Sequence, residues 1–352
     1  MTFATHWQAI RALRANPTGA AASDPDRKRT FVAALRQAEE LAQASQVAGY
    51  ATRALPLFYS LSQAGRAIAA VHLNGPWELH GHGLGVTTAK GALLETVVYP
   101  NGKADSSFTR VSGAVGSPIL AGRAQLGALW AANPDLLDVP VPSSAGSSPR
   151  ALEIPIGLEY SQMLRRGQFD PTAPTMTTGG LVETWVDIPG TNGQELTEAL
   201  KPYPTLRGAF GVKQGGNGAD PAGPADAVQR EPDERGVMRA AVVRSGPTQT
   251  SLSEYWRRRR EFASIVEIDE RHPRYPYPHF VGFALPDIAG SESPHPLMLW
   301  WALLLGLSSL TRYEPAAWTA AIDLDASELA VSLERVLDIA EEKVPKRILQ
   351  SM

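Results

Sequence analysis

The feature that most constrains the fold is a pair of segments that are apolar on nearly every helical face. Residues 296–310, PLMLWWALLLGLSSL, form the most apolar run of the chain, and residues 52–71 carry apolar or small side chains around most of a helical projection. Helices of this kind must be surrounded by protein, because they have no polar face to turn towards water. The 15-residue run is shorter than the ~20 residues of a membrane helix, so we expect no membrane contact.

These two segments lie more than 200 residues apart, and together they predict the architecture. The simplest arrangement packs N-terminal helices (residues 1–73) and C-terminal helices (293–352) into one bundle, with residues 74–292 inserted between them. A capping side chain followed by proline at Ser23-Asp24-Pro25 predicts the start of one helix, and Ser327 predicts the start of the last. We therefore predict an α+β fold: a helical bundle built from both termini with a β-rich central insertion.

The central region holds the strand candidates. Residues rich in Val, Ile, Thr and aromatic side chains predict strands at 93–99, 181–188, 237–243 and 279–284, and residues 125–133 predict a short helix. Segments 140–150, 170–180 and 211–236 resemble exposed loops. The last of these is rich in Gly and Pro and poor in apolar residues, so we expect disorder there.

Composition excludes several classes of chemistry. The chain has 33 basic and 36 acidic residues, so nucleic acid would have to bind a local basic patch rather than the whole surface. Cysteine is absent, which rules out disulfides, thiolate nucleophiles and cysteine-ligated metals. Common nucleotide-binding and hydrolase signatures are also missing, and we predict no cofactor. Since the first 17 residues lack the apolar run of a signal peptide, we expect a cytoplasmic protein.

Two segments of the chain resemble the YaaC-like family of bacterial proteins. One is residues 55–71, LPLFYSLSQAGRAIAAV, followed by Gly81-His82-Gly83; the other is residues 305–318, LGLSSLTRYEPAAW, followed by an amphipathic helix. The resemblance implies a helical frame similar to HEPN-type bundles. HEPN proteins often carry an Arg-x(4–6)-His motif and cleave RNA as dimers without a metal, and many serve in phage defence and toxin systems. RNA and a second copy of this chain are therefore the implied partners.

Arg66 and His72 match that motif with five residues between them. The arginine would hold a phosphate, and the histidine would move a proton to or from a ribose hydroxyl. Six helical positions turn ~600°, which leaves the side chains ~120° apart. They converge only if the helix frays before His72 or if a second protomer completes the site. The alternative is structural: Arg66 forms a salt bridge inside the bundle and His72 lies at a helix end.

His80 and His82 are separated by one glycine, so on a strand they would share a face, as metal ligands can. No third ligand follows at a defined spacing, and we predict no metal site. His82 is the histidine that matches the family pattern. A tight glycine turn with a hydrogen-bonded histidine is the alternative.

Arg312 and Tyr313 lie at the end of the apolar helix. Arg312 is either a second phosphate-holding cation beside Arg66 or a charge that compensates the helix dipole, and we favour the dipole role. Tyr313 is a candidate site residue or an aromatic that packs the end of the bundle.

The strongest basic run is a further candidate for phosphate contacts and base stacking. It comprises Tyr255, Trp256, Arg257, Arg258, Arg259 and Arg260. A solvated helix face is the alternative that we favour, because acidic residues lie nearby.

The leading hypothesis is thus a defence- or toxin-type protein that cleaves RNA without metal. The alternative is a non-catalytic binding or scaffold subunit of a multiprotein system, in which the same arginines are structural.

Overall fold

The fold is α+β, with long helices towards both ends of the chain and short antiparallel strands between them. The computed structural model describes residues 3–89, 91–139, 141–142, 148–156, 176–177, 181–189, 196–207, 210–211, 237–246, 248–269 and 279–352. The helices are α1 (Phe3–Ala15), α2 (Ala20–Ser23), α3 (Pro25–Val47), α4 (Tyr50–His72), α5 (Ser107–Ala114), α6 (Leu126–Ala132), α7 (Leu196–Leu200), α8 (Leu252–Arg260), α9 (Pro296–Tyr313), α10 (Pro315–Ala321) and α11 (Ala330–Gln350). The strands are β1 (Leu84–Thr87), β2 (Val97–Pro100), β3 (Ala124–Gln125), β4 (Leu152–Ile156), β5 (Met176–Thr177), β6 (Leu181–Pro189), β7 (Phe210–Gly211), β8 (Val237–Ser245), β9 (Gln249–Thr250), β10 (Ile265–Asp269) and β11 (His279–Ala284).

The two apolar segments form α4 and α9, and these helices pack directly against each other. Every residue of α9 from Pro296 to Leu310 is buried. A Cβ added at Gly65 of α4 would lie 2.5 Å from the Trp301 ring of α9, so only glycine permits this close approach. The predicted packing of an N-terminal helix on a C-terminal helix is confirmed. Within the described part of the chain, no helix is long and apolar enough to cross a membrane.

Helix α3 begins where its capping sequence predicts. The Asp24 side chain accepts hydrogen bonds from two backbone N–H groups of the first turn, and Pro25 follows it. Arg27 then donates to carbonyls at and just beyond the end of α4, those of Ala70, Leu73 and Gly75. Because carbonyls at a helix end lack partners within the helix, Arg27 ties the end of α4 to α3.

The last helix begins later than predicted, at Ala330 rather than Ser327. The Ser327 hydroxyl accepts a hydrogen bond from the Leu329 N–H, which forms a turn before the helix. Ser327 is therefore a local acceptor, as a capping residue would be, but it closes a turn instead of starting the helix.

The chain divides into two compact units, Met1–Arg150 with Ile288–Met352, and Ala151–Asp287. The first unit contains the terminal helices together with the β1-β2-β3 sheet, α5 and α6, so the predicted boundary at residue 74 falls inside it. Close packing explains this, because the Leu126 side chain of α6 lies directly against Gly306 of α9. Helix α6 confirms the prediction at 125–133, whereas the predicted strand at 93–99 is a 3-10 turn (Leu93–Glu95) followed by β2.

The second unit contains the β10-β11-β4, β6-β8-β7 and β5-β9 sheets, all antiparallel. Strands β6, β8 and β11 confirm the predictions at 181–188, 237–243 and 279–284. Strand β5 lies inside the predicted loop 170–180, because it pairs with β9. The rest of that loop, most of 140–150 and residues 212–236, for which disorder is predicted, lie outside the described residues.

Candidate functional site

Arg66 lies on an outward-facing stripe of α4. Tyr59 is seven positions earlier, which returns to within ~20° of the same helix face and places it ~10 Å away along the axis. Arg66 is partly buried and Tyr59 is exposed. The Arg66 guanidinium makes no hydrogen bond or ion pair with any residue that the structure describes. Its charge is therefore not neutralised by a carboxylate in the described part of the chain.

Arg312 approaches this stripe from the end of α9. Its Nε donates to the Ser308 carbonyl at 3.3 Å, and its Nη1 lies 3.5 Å from the Tyr59 hydroxyl. Its guanidinium lies over the Tyr313 ring, 4.9 Å from the centroid. No carboxylate of the described residues pairs with it. Arg312 thus lies in the last turn of α9, where a positive charge is favourable, and it still has N–H groups available to a ligand.

The Gly81-His82-Gly83 loop brings a histidine to the same surface. Both glycines have positive φ, 62° and 81°, which only glycine adopts readily. The loop is held by the start of α5: the Ser107 N–H donates to the Gly81 carbonyl, and the Phe108 N–H donates to the His82 carbonyl. A Cβ on Gly83 would collide with Ser106. The backbone around His82 is consequently fixed before any ligand arrives.

The His82 ring packs on α4, within range of the positive charges of two arginines. Its centroid lies 5.6 Å from that of Phe58, and its outer part is exposed. Desolvation against the protein lowers the pKa of His82, and the positive charges of Arg312 and then Arg66 lower it further. The ring is therefore neutral at pH 7. We name Arg66, Arg312 and the neutral ring of His82 the cationic cluster, after its two arginines.

His72 is placed elsewhere on α4. It is the last residue of the helix, is exposed, and its Nε2 lies 3.1 Å from the Ser351 carbonyl. Because α4 is unbroken through His72, fraying does not bring it towards Arg66. No hydrogen bond joins the two side chains within the described residues, and their catalytic pairing stays a prediction that would need a second protomer.

His80 and His82 do not share the face of a strand. His80 forms an isolated bridge with Ser106, and β1 begins only at Leu84, because Gly81 turns the chain between the two histidines. Among the described side chains, no group of three or more His, Asp or Glu is placed to hold a metal ion.

Two arginines of the basic run form ion pairs with neighbouring glutamates in the second unit. Arg257 pairs with Glu254 and Glu261, and Arg258 pairs with Glu254 at 2.8 Å. Hydrogen bonds from these two arginines lower the pKa of Glu254 to about 2. Arg260 is exposed, and the side chain of Trp256 lies outside the described residues.

Two members of the run are buried. Arg259 has no exposed surface, and Tyr255 belongs to the apolar core of the second unit. In this structure neither can contact a nucleic acid, which corrects their assignment to phosphate binding and base stacking. The physical reason is that α8 turns them inward, whereas Arg257 and Arg260 point to water.

Tyr59 and Phe58 are site residues that were not predicted from the sequence. The spacing of Tyr59 from Arg66 was a usable signal, since residues seven apart share a helix face. The contact between Phe58 and His82 had no such signal, because it depends on where the loop folds back.

A protein family matches segments towards both ends of the chain. A family model described as YaaC-like Protein matches residues 6–150 and 246–352, which include every member of the cationic cluster. No curated protein and no solved structure matches the chain. Since the matched residues cover well over half of the sequence, the chain belongs to the YaaC-like family.

Proposed function

We propose that this protein binds RNA at the cationic cluster and cleaves the backbone without a metal ion, in the manner of HEPN-type proteins. The observation that carries the proposal is that two arginines without a carboxylate partner in the described chain lie along one surface. Arg66 shares a face of α4 with Tyr59, which Arg312 contacts, and the exposed His82 packs on the neighbouring Phe58. Unpaired arginines at a surface are suited to phosphate, which accepts their N–H groups in pairs.

The cluster supports one chemical step. The two arginines would bind the non-bridging phosphate oxygens and stabilise the charge that develops on them. Neutral His82 would take the proton from the ribose 2′-hydroxyl, whose oxygen then forms a bond to phosphorus. The bond from phosphorus to the 5′-oxygen breaks, and that oxygen takes a proton from water. The products are a 2′,3′-cyclic phosphate and a 5′-hydroxyl.

His72 is the competing candidate for the proton-transfer role. The resemblance to HEPN proteins assigns that role to the histidine of the Arg66–His72 motif, and a second copy of the chain would have to supply His72. The two histidines are separable by substitution, because His72 ends the motif helix and His82 lies in the loop that follows it.

A non-catalytic binding subunit of a multiprotein defence system is the second candidate. It is favoured by one observation: the His82 ring has no hydrogen-bond partner among the described residues to orient it. Catalytic histidines are commonly held by a third group, so an unheld ring is better suited to ligand binding than to proton transfer.

The experiment uses the full-length protein with an end-labelled single-stranded RNA in EDTA, and measures binding by anisotropy and cleavage by gel. We expect R66A and R312A to weaken binding, H82Q to abolish cleavage while RNA still binds, and a 2′-deoxy substrate to resist cleavage. R257A, which removes an ion-paired exposed arginine, is the matched control and should change neither.

The outcomes separate the candidates. Binding by the wild type without cleavage supports the non-catalytic subunit. Cleavage that survives in H82Q but is lost in H72Q returns the proton-transfer role to His72. If the wild type binds no RNA at low salt, the proposal is wrong.

A further inference from the structure

Two exposed tyrosines lie on either side of Arg312. Tyr313 is 69% exposed and Tyr59 is 36% exposed, and among side chains that the structure describes these are the large aromatic ones left open to solvent. Large aromatic rings are normally buried, since covering them with protein is favourable. Both exceptions contact the same arginine, through a 4.9 Å ring stack and a 3.5 Å hydrogen-bond contact.

The geometry leaves one face of Tyr313 available. Arg312 covers the other face, and this cation–π contact holds the ring without burying it. Tyr59 contacts the buried Phe58, with ring centroids 5.5 Å apart and the two rings tilted by 58°. Each ring thus contacts a neighbouring side chain and keeps part of its surface open to solvent, as stacking on a flat ligand requires.

The position of these rings relative to the cluster suggests the ligand. Tyr59 lies ~10 Å along α4 from Arg66, and Arg312 contacts the Tyr59 hydroxyl. A nucleotide carries a charged phosphate at one end and a flat base at the other. A single nucleotide could therefore bind with its phosphate at Arg66 and its base stacked on Tyr313.

We propose that Tyr313, with Tyr59 beside it, is a stacking platform for an unpaired nucleobase, so that this protein recognises single-stranded rather than duplex RNA. The inference rests on the proposed function, because it assumes that the phosphate of the same nucleotide occupies the cationic cluster. It adds the substrate class: the base must be free of a partner, since a paired base cannot leave its stack to reach the tyrosine.

The test compares three RNA probes of equal length and charge per strand: a single strand with bases, the same backbone with every residue abasic, and the duplex. Anisotropy is measured in EDTA with the H82Q protein, so that cleavage does not consume the probe. We expect the single strand to bind about 5- to 150-fold more tightly than the abasic strand. Y313A should remove this difference while leaving affinity for the abasic strand unchanged.

Matched variants keep the test interpretable. Y313W retains a stacking face and should preserve the preference for bases, and V331A, at a position that is 68% exposed on α11, should change nothing. Equal binding of the single and abasic strands by the parent protein would overturn the platform while leaving the proposed function standing. Loss of affinity for both strands in Y313A would also overturn it, whereas no binding of any probe would contradict the proposed function itself.

Discussion

Arg347 and Asp135 form a buried ion pair that joins the last helix of the chain to a turn 212 residues earlier. Arg347 Nη2 donates to Asp135 Oδ1 at 2.6 Å, and Nε donates to Oδ2 at 2.9 Å. Trp300 of α9 donates to the same carboxylate at 2.8 Å. The two side chains are only 2% and 5% exposed. Together with Trp300, the pair connects three segments inside the first unit.

Replacing Asp135 by alanine is expected to destabilise the first unit by ~3–5 kcal/mol, because Arg347 would remain buried without its counter-charge. The free energy of unfolding is measured with a chemical denaturant. R29A is the control: it breaks a largely exposed ion pair in the same unit and should cost under ~1 kcal/mol. Equal effects of D135A and R29A would contradict the structural role of the pair.

The same ion pair should make the stability of the folded protein depend on pH in the acidic range. Burial raises the pKa of Asp135, but the Arg347 charge and its hydrogen bonds outweigh burial, and the net pKa is lowered. A carboxyl group whose pKa is lower in the folded state stabilises the protein fully above its unfolded pKa of about 3.9. We expect the stabilisation to be lost as pH falls below about 4, and D135N to be less sensitive to acid than the wild type in melting experiments.

Gly65 and Gly113 test the helix contact. G65A should destabilise the protein by ~1–3 kcal/mol, because its Cβ would press into the Trp301 ring. G113A on α5 meets no atom within 4 Å, so it should be neutral or stabilising by up to ~1 kcal/mol through helix propensity. The measurement is the thermal midpoint of each variant. A G65A midpoint at or above that of G113A would contradict the close contact between Gly65 and Trp301.

The salt dependence of RNA binding should identify the arginines that touch phosphate. Replacing Arg66 and Arg312 by alanine should lower the magnitude of the log–log salt slope by ~0.7 for each phosphate that is no longer neutralised. Replacing the ion-paired Arg257 and Arg258 by serine should leave the slope unchanged, because their charges are already offset by Glu254 and Glu261. The reverse result would move the RNA site to α8.

RNA affinity and cleavage rate should both change with pH as His82 gains or loses a proton. Its pKa lies below the ordinary 6.5, so the ring gains a proton only as pH falls below that value. The added charge should tighten RNA binding in acid, while the cleavage rate should fall because a protonated ring cannot accept a proton. H82Q should flatten the rise in affinity from neutral to acidic pH, and H72Q should leave it in place.

Much of the secondary structure could be predicted from the residues alone. The cap at Asp24, the apolar periodicity of α4 and α9, and the β-branched runs of β6 and β11 act over a few residues, and such short-range signals survive in the folded chain. The burial requirement of two all-apolar helices also predicted that N- and C-terminal helices meet. Helix boundaries were less predictable where a side chain can either cap a helix or close a turn. Ser327 does the second, and the helix begins at Ala330.

The residues of the candidate site were decided by the tertiary structure. Arg66, His82 and Arg312 come from three separate parts of the chain, and no periodicity relates them. The loop that carries His82 is positioned by hydrogen bonds to α5, and Arg312 reaches α4 at the Tyr59 hydroxyl. Sequence determined which segments are helices and which faces must be covered; only close packing determined which side chains meet, because contact depends on distances that local patterns do not encode.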